Sequence, residues 1–130
     1  MIVGLGIDMV DPERLRRWQD TPGLVERFYH PDEIAECRRK GDRSLLSLAA
    51  RFAAKEAFGK ALGSGLRGMV LRDIVVTNAP GGRPVLRTVG TAYAALQAAG
   101  GTDVLVSLSH EENAVIAVVI IQGNAQGGLD

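Results

Sequence analysis

The sequence predicts a single α+β domain in which an antiparallel sheet packs on one long central helix. Residues 51–62 indicate the helix, because they are rich in Ala, Leu, Lys and Glu and contain neither Gly nor Pro before Gly59. Two apolar runs at 103–110 and 114–122, joined by a short polar turn, indicate a hairpin of antiparallel strands. At 130 residues the chain is long enough for one hydrophobic core and too short for two.

The first element is a buried strand over residues 2–8, whose glycines allow close packing against a neighbouring element. Asp8 follows five residues with no polar side chain, so we expect the core to place its carboxylate at the end of this strand. Asp8 has two interpretations, a functional carboxylate or a residue that caps a turn.

Three short helices are expected between this strand and the central helix. The pairs 11–12 and 21–22 each combine a capping residue with a proline and so predict two helix starts. Pro31 opens the third helix, and His30 is interpreted only as the residue that precedes it. The basic run 38–40 closes this helix at the favourable end of its dipole.

After the central helix, branched residues at 69–77 predict a strand, and the turn 78–84 leads into a returning strand. A helix of small residues is predicted over 92–99, before the C-terminal hairpin. Because residues 123–130 lack apolar periodicity, we expect a domain over 1–122 followed by a disordered tail.

Composition excludes several functional classes. Lys and Arg total 15 and Asp and Glu total 15, a balance that argues against a nucleic-acid-binding protein. The single cysteine, Cys37, excludes an internal disulfide and a cysteine-based zinc site and suits a reducing compartment. Without a membrane-spanning apolar run or a signal-peptide pattern, a cytoplasmic protein is expected. Apolar content of 46% leaves surplus apolar surface, which favours oligomerisation.

Phe52, Glu56 and Lys60 lie four residues apart and therefore stack on one side of the central helix. One interpretation is a surface ion pair between Glu56 and Lys60, which contributes about 0.2–0.5 kcal/mol. The other is a site for a phosphate and its metal ion, since a ligand can closely approach the glycine-rich exit at 63–65. His110 also has two interpretations, a hydrogen-bonded structural residue or a functional residue at a turn with two carboxylates.

Three segments together resemble the motifs of the holo-acyl-carrier-protein synthases, the short phosphopantetheinyl transferases. They are GLGIDMVDPERL at 4–15, RFAAKEAFGKALGSGL at 51–66 and VSLSHEENAVIAVVI at 106–120. The resemblance implies the phosphopantetheinyl transferase fold. It also implies transfer of the phosphopantetheine arm of coenzyme A to a serine of apo acyl carrier protein, with release of adenosine 3',5'-bisphosphate, in fatty acid biosynthesis.

The resemblance implies a catalytic centre that uses Mg²⁺. Asp8 and Glu56 would bind the ion, which typically takes one or two carboxylates and completes its shell with waters and substrate phosphates. Lys60 would bind a phosphate oxygen and stabilise charge on the leaving group. A water held by Asp8 or Glu56 would accept the serine proton, and both carboxylates stay candidates.

Two groups of contacts with coenzyme A are implied as well. The first group lies at the helix exit, where Gly63, Ser64 and Gly65 would offer backbone amides, and Ser64 a hydroxyl, to a phosphate or to the pantetheine arm. The residues implied at the nucleotide end, with its adenine and 3'-phosphate, are Arg51, His110 and the loop residues Gly82, Arg83 and Pro84.

The first short helix resembles the surface on which family members dock an acidic carrier protein. The implied contacts are Arg14, Leu15, Arg17 and Trp18, and Arg and Trp are typical interface anchors. A solvated face is the alternative. Family members are homotrimers with active sites between subunits, which would cover the surplus apolar surface. The sequence does not identify the carrier protein or decide between coenzyme A and its acylated forms.

The chain departs from the family pattern at three places. Asp11-Pro12 replaces Glu and an apolar residue, Phe52 replaces Trp, and Glu111-Glu112 add charge after His110. Two other functions stay open on the residues alone. One is a different Mg-dependent nucleotide or phosphoryl-transfer enzyme, and the other is a non-enzymatic trimeric assembly subunit.

Overall fold

The computed structural model describes residues 1–124 and has the predicted α+β fold. The strands are β1 (Ile2–Val10), β2 (Ile74–Asn78), β3 (Pro84–Thr88), β4 (Gly101–Glu111) and β5 (Ala114–Gly123). The α-helices are α1 (Arg16–Asp20), α2 (Leu24–Phe28), α3 (Pro31–Arg38), α4 (Ser44–Leu62) and α5 (Gly90–Ala98). Short 3₁₀ helices cover Pro12–Leu15, Gly41–Arg43 and Leu71–Asp73.

The strands form two antiparallel sheets. The larger one has the order β1-β5-β4, and β2 pairs with β3 in the smaller one. The predicted C-terminal hairpin is confirmed, since β4 and β5 pair with Leu105 opposite Ile120 and His110 opposite Val115. Among the helices of residues 1–124, none combines the length and apolar character required to cross a membrane.

Helix α4 is buried around most of its circumference. Ala53, Ala54, Ala57 and Phe58 are fully buried, and Phe52 is nearly so. The reason is that the larger sheet covers one side of the helix, while α3 and β2 contact another. The small alanine side chains let these neighbours approach closely.

The glycines of β1 allow this strand to lie directly on α4, as predicted. A Cβ atom at Gly4 would lie 2.0 Å from the carbonyl oxygen of Ala61, and one at Gly6 would lie 1.9 Å from that of Ala57. No side chain fits at such distances, so the strand backbone touches the helix backbone. This contact brings the end of β1 beside the last two turns of α4.

A buried ion pair holds α3 and β2 against α4. The ammonium of Lys55 donates to Glu33 Oε1 at 2.7 Å, to the carbonyl of Leu71 at 2.9 Å and to the carbonyl of Ile74. Glu33 Oε2 accepts from the amide of Val76 at 3.0 Å. Because the polar atoms of both buried side chains have partners, the pair avoids the cost of an uncompensated charge. Burial lowers the pKa of Lys55.

The predicted helix starts are partly wrong. Asp11 caps the first helical segment as predicted, because its carboxylate accepts from the amide of Glu13 at 3.0 Å. Thr21 does not cap α2, however, because α2 begins only after Gly23, whose φ is +83°. The Thr21 hydroxyl instead donates to the carbonyl of Arg17 at 2.6 Å and so closes α1. His30 directly precedes α3, as predicted, and caps it, with its Nδ1 accepting from the Asp32 amide.

Strand β2 is shorter than predicted, because residues 71–73 form a 3₁₀ helix. Asp73 accepts from both the amide and the hydroxyl of Thr91, at 2.8 and 2.7 Å, and so ties this turn to the start of α5. At the other end of the chain, Gly123 belongs to β5 and not to the predicted tail. Residues 125–130 of that tail lie outside the described residues.

Candidate active site

Asp8, Glu56 and Lys60 come together where β1 crosses α4. Lys60 Nζ donates to Asp8 Oδ1 at 3.0 Å and to the carbonyl oxygen of Ile7 at 3.0 Å. The alternative ion pair between Glu56 and Lys60 is therefore wrong, because the lysine reaches across to the strand. Strand β1 continues to Val10, so Asp8 lies within the strand and not at its end. Its side chain is 16% exposed and points toward α4.

Glu56 is half-buried and has no hydrogen bond or ion pair among residues 1–124. Its pKa is raised above the usual value, first by burial and then by the negative charge of Asp8. The cations of Lys60 and Arg14 act in the opposite direction. Two carboxylates thus face the same space, and one of them lacks a partner.

This pair of carboxylates fits a hard divalent cation. Within residues 1–124 no group of three or more His, Cys, Asp or Glu side chains could hold a metal ion alone. Mg²⁺ does not need such a group, because it usually keeps several waters and takes one or two carboxylates plus substrate phosphates. The unpartnered carboxylate of Glu56 beside Asp8 matches that requirement.

The glycine-rich exit of α4 folds back on the helix. Gly63, at φ +83°, donates its amide to the carbonyl of Lys60, and Gly65, at φ +64°, donates to that of Gly59. Both glycine amides are therefore occupied, although they were predicted to face a phosphate. The outer side is open, because a Cβ atom at Gly63 or Gly65 would meet nothing within 4 Å. The Ser64 hydroxyl, which donates to Gly65 over 3.3 Å, lies exposed on this open side.

A cavity of about 340 Å³ lies between α4, β4 and the β2–β3 turn. It brings together four of the five residues that the resemblance implied at the nucleotide end: Arg51, Gly82, Pro84 and His110. Arg83 is not part of its wall. A larger cavity of about 410 Å³ among α1–α4 contains none of the predicted site residues. We therefore treat the smaller cavity as the second half of the candidate site.

Two cations of this cavity were missed in the sequence. Lys40 and Arg43 line it and are exposed, and neither forms a salt bridge within residues 1–124. The signal was present, because Lys40 ends the basic run 38–40 and Arg43 ends the connector 41–43. The interpretation of residues 38–40 as a helix terminus considered only neighbouring residues in the sequence, and it did not consider that the β2–β3 turn borders the same cavity.

Arg51 lies in the cavity wall but is 4% exposed, so it is less available than predicted. Its Nη1 donates to Ser47 Oγ, and its Nη2 donates to Glu36 and, at 3.2 Å, to Asn78 Oδ1. Its Nε is buried and without a partner among residues 1–124. Glu36 balances the charge of the guanidinium, so Arg51 shapes the wall more than it offers free N–H groups.

His110 lies on β4 opposite Val115 and is exposed. Its imidazole makes no hydrogen bond within residues 1–124, so the interpretation as a hydrogen-bonded structural residue is wrong. The two carboxylates that follow it, Glu111 and Glu112, are exposed at the tip of the hairpin. The position of His110 in the cavity wall keeps it available to a ligand.

The predicted docking surface is only partly exposed. Arg14 and Arg17 lie open to solvent, whereas Leu15 is 2% exposed and belongs to the core. Trp18 is half-buried. The expectation that Leu15 contacts a carrier protein is therefore wrong, and the two arginines with one edge of Trp18 constitute the available surface.

Trp18 is half-buried because it belongs to an aromatic cluster. Its ring centroid lies 4.9 Å from that of Phe28 and 5.2 Å from that of Phe52. The guanidinium carbon of Arg14 lies 6.0 Å from the centroid of Phe52, at the outer limit of a cation–π contact. Leu24 and Phe28 are also half-buried. Phe52 thus anchors the first helical segment to α4.

The two halves of the candidate site are separate within one chain. Asp8, Glu56 and Lys60 do not line the cavity that holds Arg51 and His110. One chain therefore presents a carboxylate centre and a basic cavity on different parts of its surface.

Comparisons with known proteins identify the family and the fold. The family model of the 4'-phosphopantetheinyl transferase superfamily matches residues 4–119. The holo-[acyl-carrier-protein] synthase of Treponema denticola is 51% identical over 123 residues, which are 95% of this chain and 100% of the relative. The crystal structure of the holo-[acyl-carrier-protein] synthase from Neisseria meningitidis aligns with a TM-score of 0.83 at 36% identity, over 94% of this chain and 99% of that one.

A second solved structure is similar as well. It is a holo-(acyl-carrier-protein) synthase from Bacillus anthracis in complex with CoA (3',5'-ADP), with a TM-score of 0.78 and 32% identity. The alignment covers 95% of this chain and 99% of that one. Sequence and fold are thus similar to these proteins over nearly the whole chain.

Proposed function

This chain is an enzyme of the 4'-phosphopantetheinyl transferase superfamily, and we propose that it converts apo acyl carrier protein into the holo form. It would transfer phosphopantetheine from coenzyme A to a serine hydroxyl and release adenosine 3',5'-bisphosphate. The observation that carries the proposal is the meeting of Asp8, Glu56 and Lys60 where β1 crosses α4. The matching structure that contains CoA (3',5'-ADP) supports the choice of donor.

Asp8 and Glu56 are the residues that would hold Mg²⁺. When bound, the ion would neutralise the pyrophosphate of coenzyme A and stabilise charge on the leaving phosphate. Lys60 would leave Asp8 to donate to a phosphate oxygen of the donor, and its flexible stem permits that movement. The attacking serine would lose its proton to a water held by Asp8 or Glu56.

The nucleotide end of coenzyme A would occupy the cavity of about 340 Å³. The exposed cations of Lys40 and Arg43 suit the 3'-phosphate, because both are free of carboxylate partners in the described chain. His110 and Pro84 line the same space and would contact the remainder of the nucleotide. Gly63, Ser64 and Gly65 would lie along the pantetheine arm, with the Ser64 hydroxyl as the polar contact.

The outer face of the larger sheet supports assembly into a homotrimer. An antiparallel sheet that faces water usually carries polar side chains there. Here the outward residues of β1 are 58–65% exposed and apolar, and they continue onto the neighbouring strands: Leu5, Ile7, Met9, Leu105 and Ile116. Apolar patches of this kind mark interfaces. As the resemblance to the family implies, the basic cavity of one subunit would then lie against the carboxylate centre of the next.

The partner would be an acidic acyl carrier protein, and Arg14 and Arg17 would attract it. The reaction would belong to fatty acid biosynthesis and would take place in the cytoplasm. Both proposals rest on the chemistry that the resemblance to the family implies.

The experiment that tests the proposal is the intact mass of an apo acyl carrier protein after incubation with this enzyme, coenzyme A and Mg²⁺. A gain of one phosphopantetheine, abolished by EDTA, would establish the reaction and its metal requirement. Nucleotide binding without any gain across several carrier proteins would favour a different Mg-dependent nucleotide or phosphoryl-transfer enzyme. Neither gain nor binding would favour an assembly subunit without catalytic activity.

A further inference from the structure

Glu36 joins three elements at the wall of the basic cavity. It lies on α3, its side chain is 18% exposed, and its Oε1 accepts from Arg51 Nη2 on α4. The same carboxylate accepts from the amide of Asn78 at the end of β2, at 3.0 Å to Oε1 and 3.3 Å to Oε2. A charge-assisted bond and a backbone contact therefore converge on one side chain.

Asn78 extends this network into the turn that borders the cavity. Its Oδ1 accepts from Arg51 Nη2 at 3.2 Å, and its Nδ2 donates to the carbonyl of Gly82 at 3.0 Å. Gly82 and Asn78 both line the cavity. The carboxylate of Glu36 thus fixes both the guanidinium of Arg51 and the position of the β2–β3 turn.

Glu36 also determines the charge of the wall. Arg51 contributes a buried positive charge, and Glu36, in direct contact with it, contributes a balancing negative one. The uncompensated cations of the cavity are then Lys40 and Arg43, which are exposed. Without the carboxylate, a third positive charge would face the same space from a site that solvent screens poorly.

We propose that Glu36 is a positioning residue that limits how tightly the cavity holds the bisphosphate product. It keeps Arg51 and the turn in place and, by neutralising Arg51, allows the multiply charged adenosine 3',5'-bisphosphate to leave. Product release often sets the rate of well-evolved enzymes, so such a restraint serves turnover. This inference rests on the proposed function and adds a residue that the sequence motifs did not contain.

The test is a comparison of wild type with Glu36→Gln, which removes the charge, keeps one oxygen acceptor for Arg51 and Asn78, and replaces the other oxygen with an NH2 group. By titration calorimetry, we expect adenosine 3',5'-bisphosphate to bind about 3- to 10-fold more tightly to the variant, with the gain shrinking at high salt. Uncharged adenosine should bind both proteins equally. In steady-state transfer assays, both the KM for coenzyme A and kcat should fall.

The matched control is Glu26→Gln. Glu26 also pairs with an arginine, Arg38, at 3.2 Å, but this pair is exposed and lies outside the cavity wall. The control should bind both ligands like the wild type, although it loses the same charge.

Three results would overturn the inference. The first is bisphosphate binding by Glu36→Gln that is unchanged or weaker, and the second is an equal gain in affinity for adenosine. The third is a variant that does not fold, which would make Glu36 purely structural. For a marginally stable variant, the ligand-induced rise in melting temperature gives the same comparison. A wild type that neither binds the bisphosphate nor modifies a carrier would overturn the proposed function and this inference together. A wild type that does both, beside an unaffected Glu36→Gln, would overturn this inference alone.

Discussion

Asp8 on β1 and Glu56 on α4 place two carboxylates close together. The ammonium of Lys60 lies beside them and donates a hydrogen bond to Asp8. Burial, and after it the nearby charge of Asp8, opposes ionisation of Glu56, so the charged form of Glu56 does not stabilise the metal-free fold. Two consequences for single residues can be measured.

Replacing either carboxylate with alanine should abolish transfer and leave the fold intact. Neither Asp8 nor Glu56 belongs to the hydrophobic core, so Asp8→Ala and Glu56→Ala remove no core packing. The loss of a charge that acts on the transferred group costs at least about 100-fold in rate. The measurement is the rate of carrier mass gain, with circular dichroism as a check of the fold. Glu13→Ala, which alters an exposed carboxylate paired with Arg16, is the control. Full activity in either variant would remove the carboxylate centre from the mechanism.

Glu56→Gln should stabilise the metal-free protein at neutral pH. Burial and Asp8 raise the pKa of Glu56 above its usual value of 4.5, so the folded state favours the protonated form. Glu56 therefore contributes to the free energy of unfolding below pH 4.5, and this contribution is lost as the pH rises through the pKa of Glu56 in the folded state. Glutamine mimics the protonated form of Glu56. The melting temperature of the Glu56→Gln variant in EDTA should therefore exceed that of wild type at pH 7. The difference should disappear as the pH falls through 4.5. A variant less stable than wild type at pH 7 would contradict this assignment.

Several residue-level expectations were incomplete or wrong because they depended on tertiary partners far along the chain. Arg51 lines the cavity assigned to the nucleotide, but Glu36 on α3 and Asn78 on β2 already bind its guanidinium, so its contact with the nucleotide stays a prediction. Leu15 and Trp18 were expected to be exposed, but the core and Phe52 cover them. Spacing along a helix identifies which residues share a face and does not identify what covers that face.

Elements were predicted well where local signals decide them. Helix α4 follows from its composition, and the C-terminal hairpin follows from apolar strands around a polar turn. The start of β2 could not be predicted, since residues 71–73 form a 3₁₀ helix, in which Asp73 accepts a hydrogen bond from the distant residue Thr91. The carboxylate pair itself was predictable from its motifs, whereas the contact that unites it depends on packing of β1 on α4.

That contact can be tested at Gly6. A methyl group there would lie 1.9 Å from the carbonyl oxygen of Ala57, so the strand must move away from the helix. We expect Gly6→Ala to lower the free energy of unfolding by at least about 1–3 kcal/mol, as overpacking does. Transfer activity should fall as well, because Asp8 would shift away from Glu56. Chemical denaturation measures the first effect, and Thr102→Ala, on an exposed part of β4, is the control. A Gly6→Ala protein of unchanged stability would contradict the close packing.

For the whole molecule, the larger sheet has two apolar faces. One covers α4, and the other carries Leu5, Ile7 and Met9 into solvent. In register with these residues, β5 presents Ile120, Val118 and Ile116, so the apolar surface is continuous across strands. A single domain gains nothing from such a face, whereas a second copy that covers it gains hydrophobic stabilisation at about 25 cal/mol per Å² buried.

Leu105→Asp should therefore convert the proposed trimer into monomers. Leu105 is 51% exposed, lies opposite Ile120 and makes no contribution to the core, so the substitution places a charge in the apolar face without disturbing the fold of one chain. Multi-angle light scattering should give the mass of one chain for the variant and of three chains for the wild type. Transfer should be lost too, because the basic cavity and the carboxylate centre would no longer meet between subunits. Tyr93→Asp, at a residue 50% exposed on α5, is the matched control and should keep both assembly and activity. An active monomer would show that one chain completes the site by itself and would overturn the proposed arrangement between subunits.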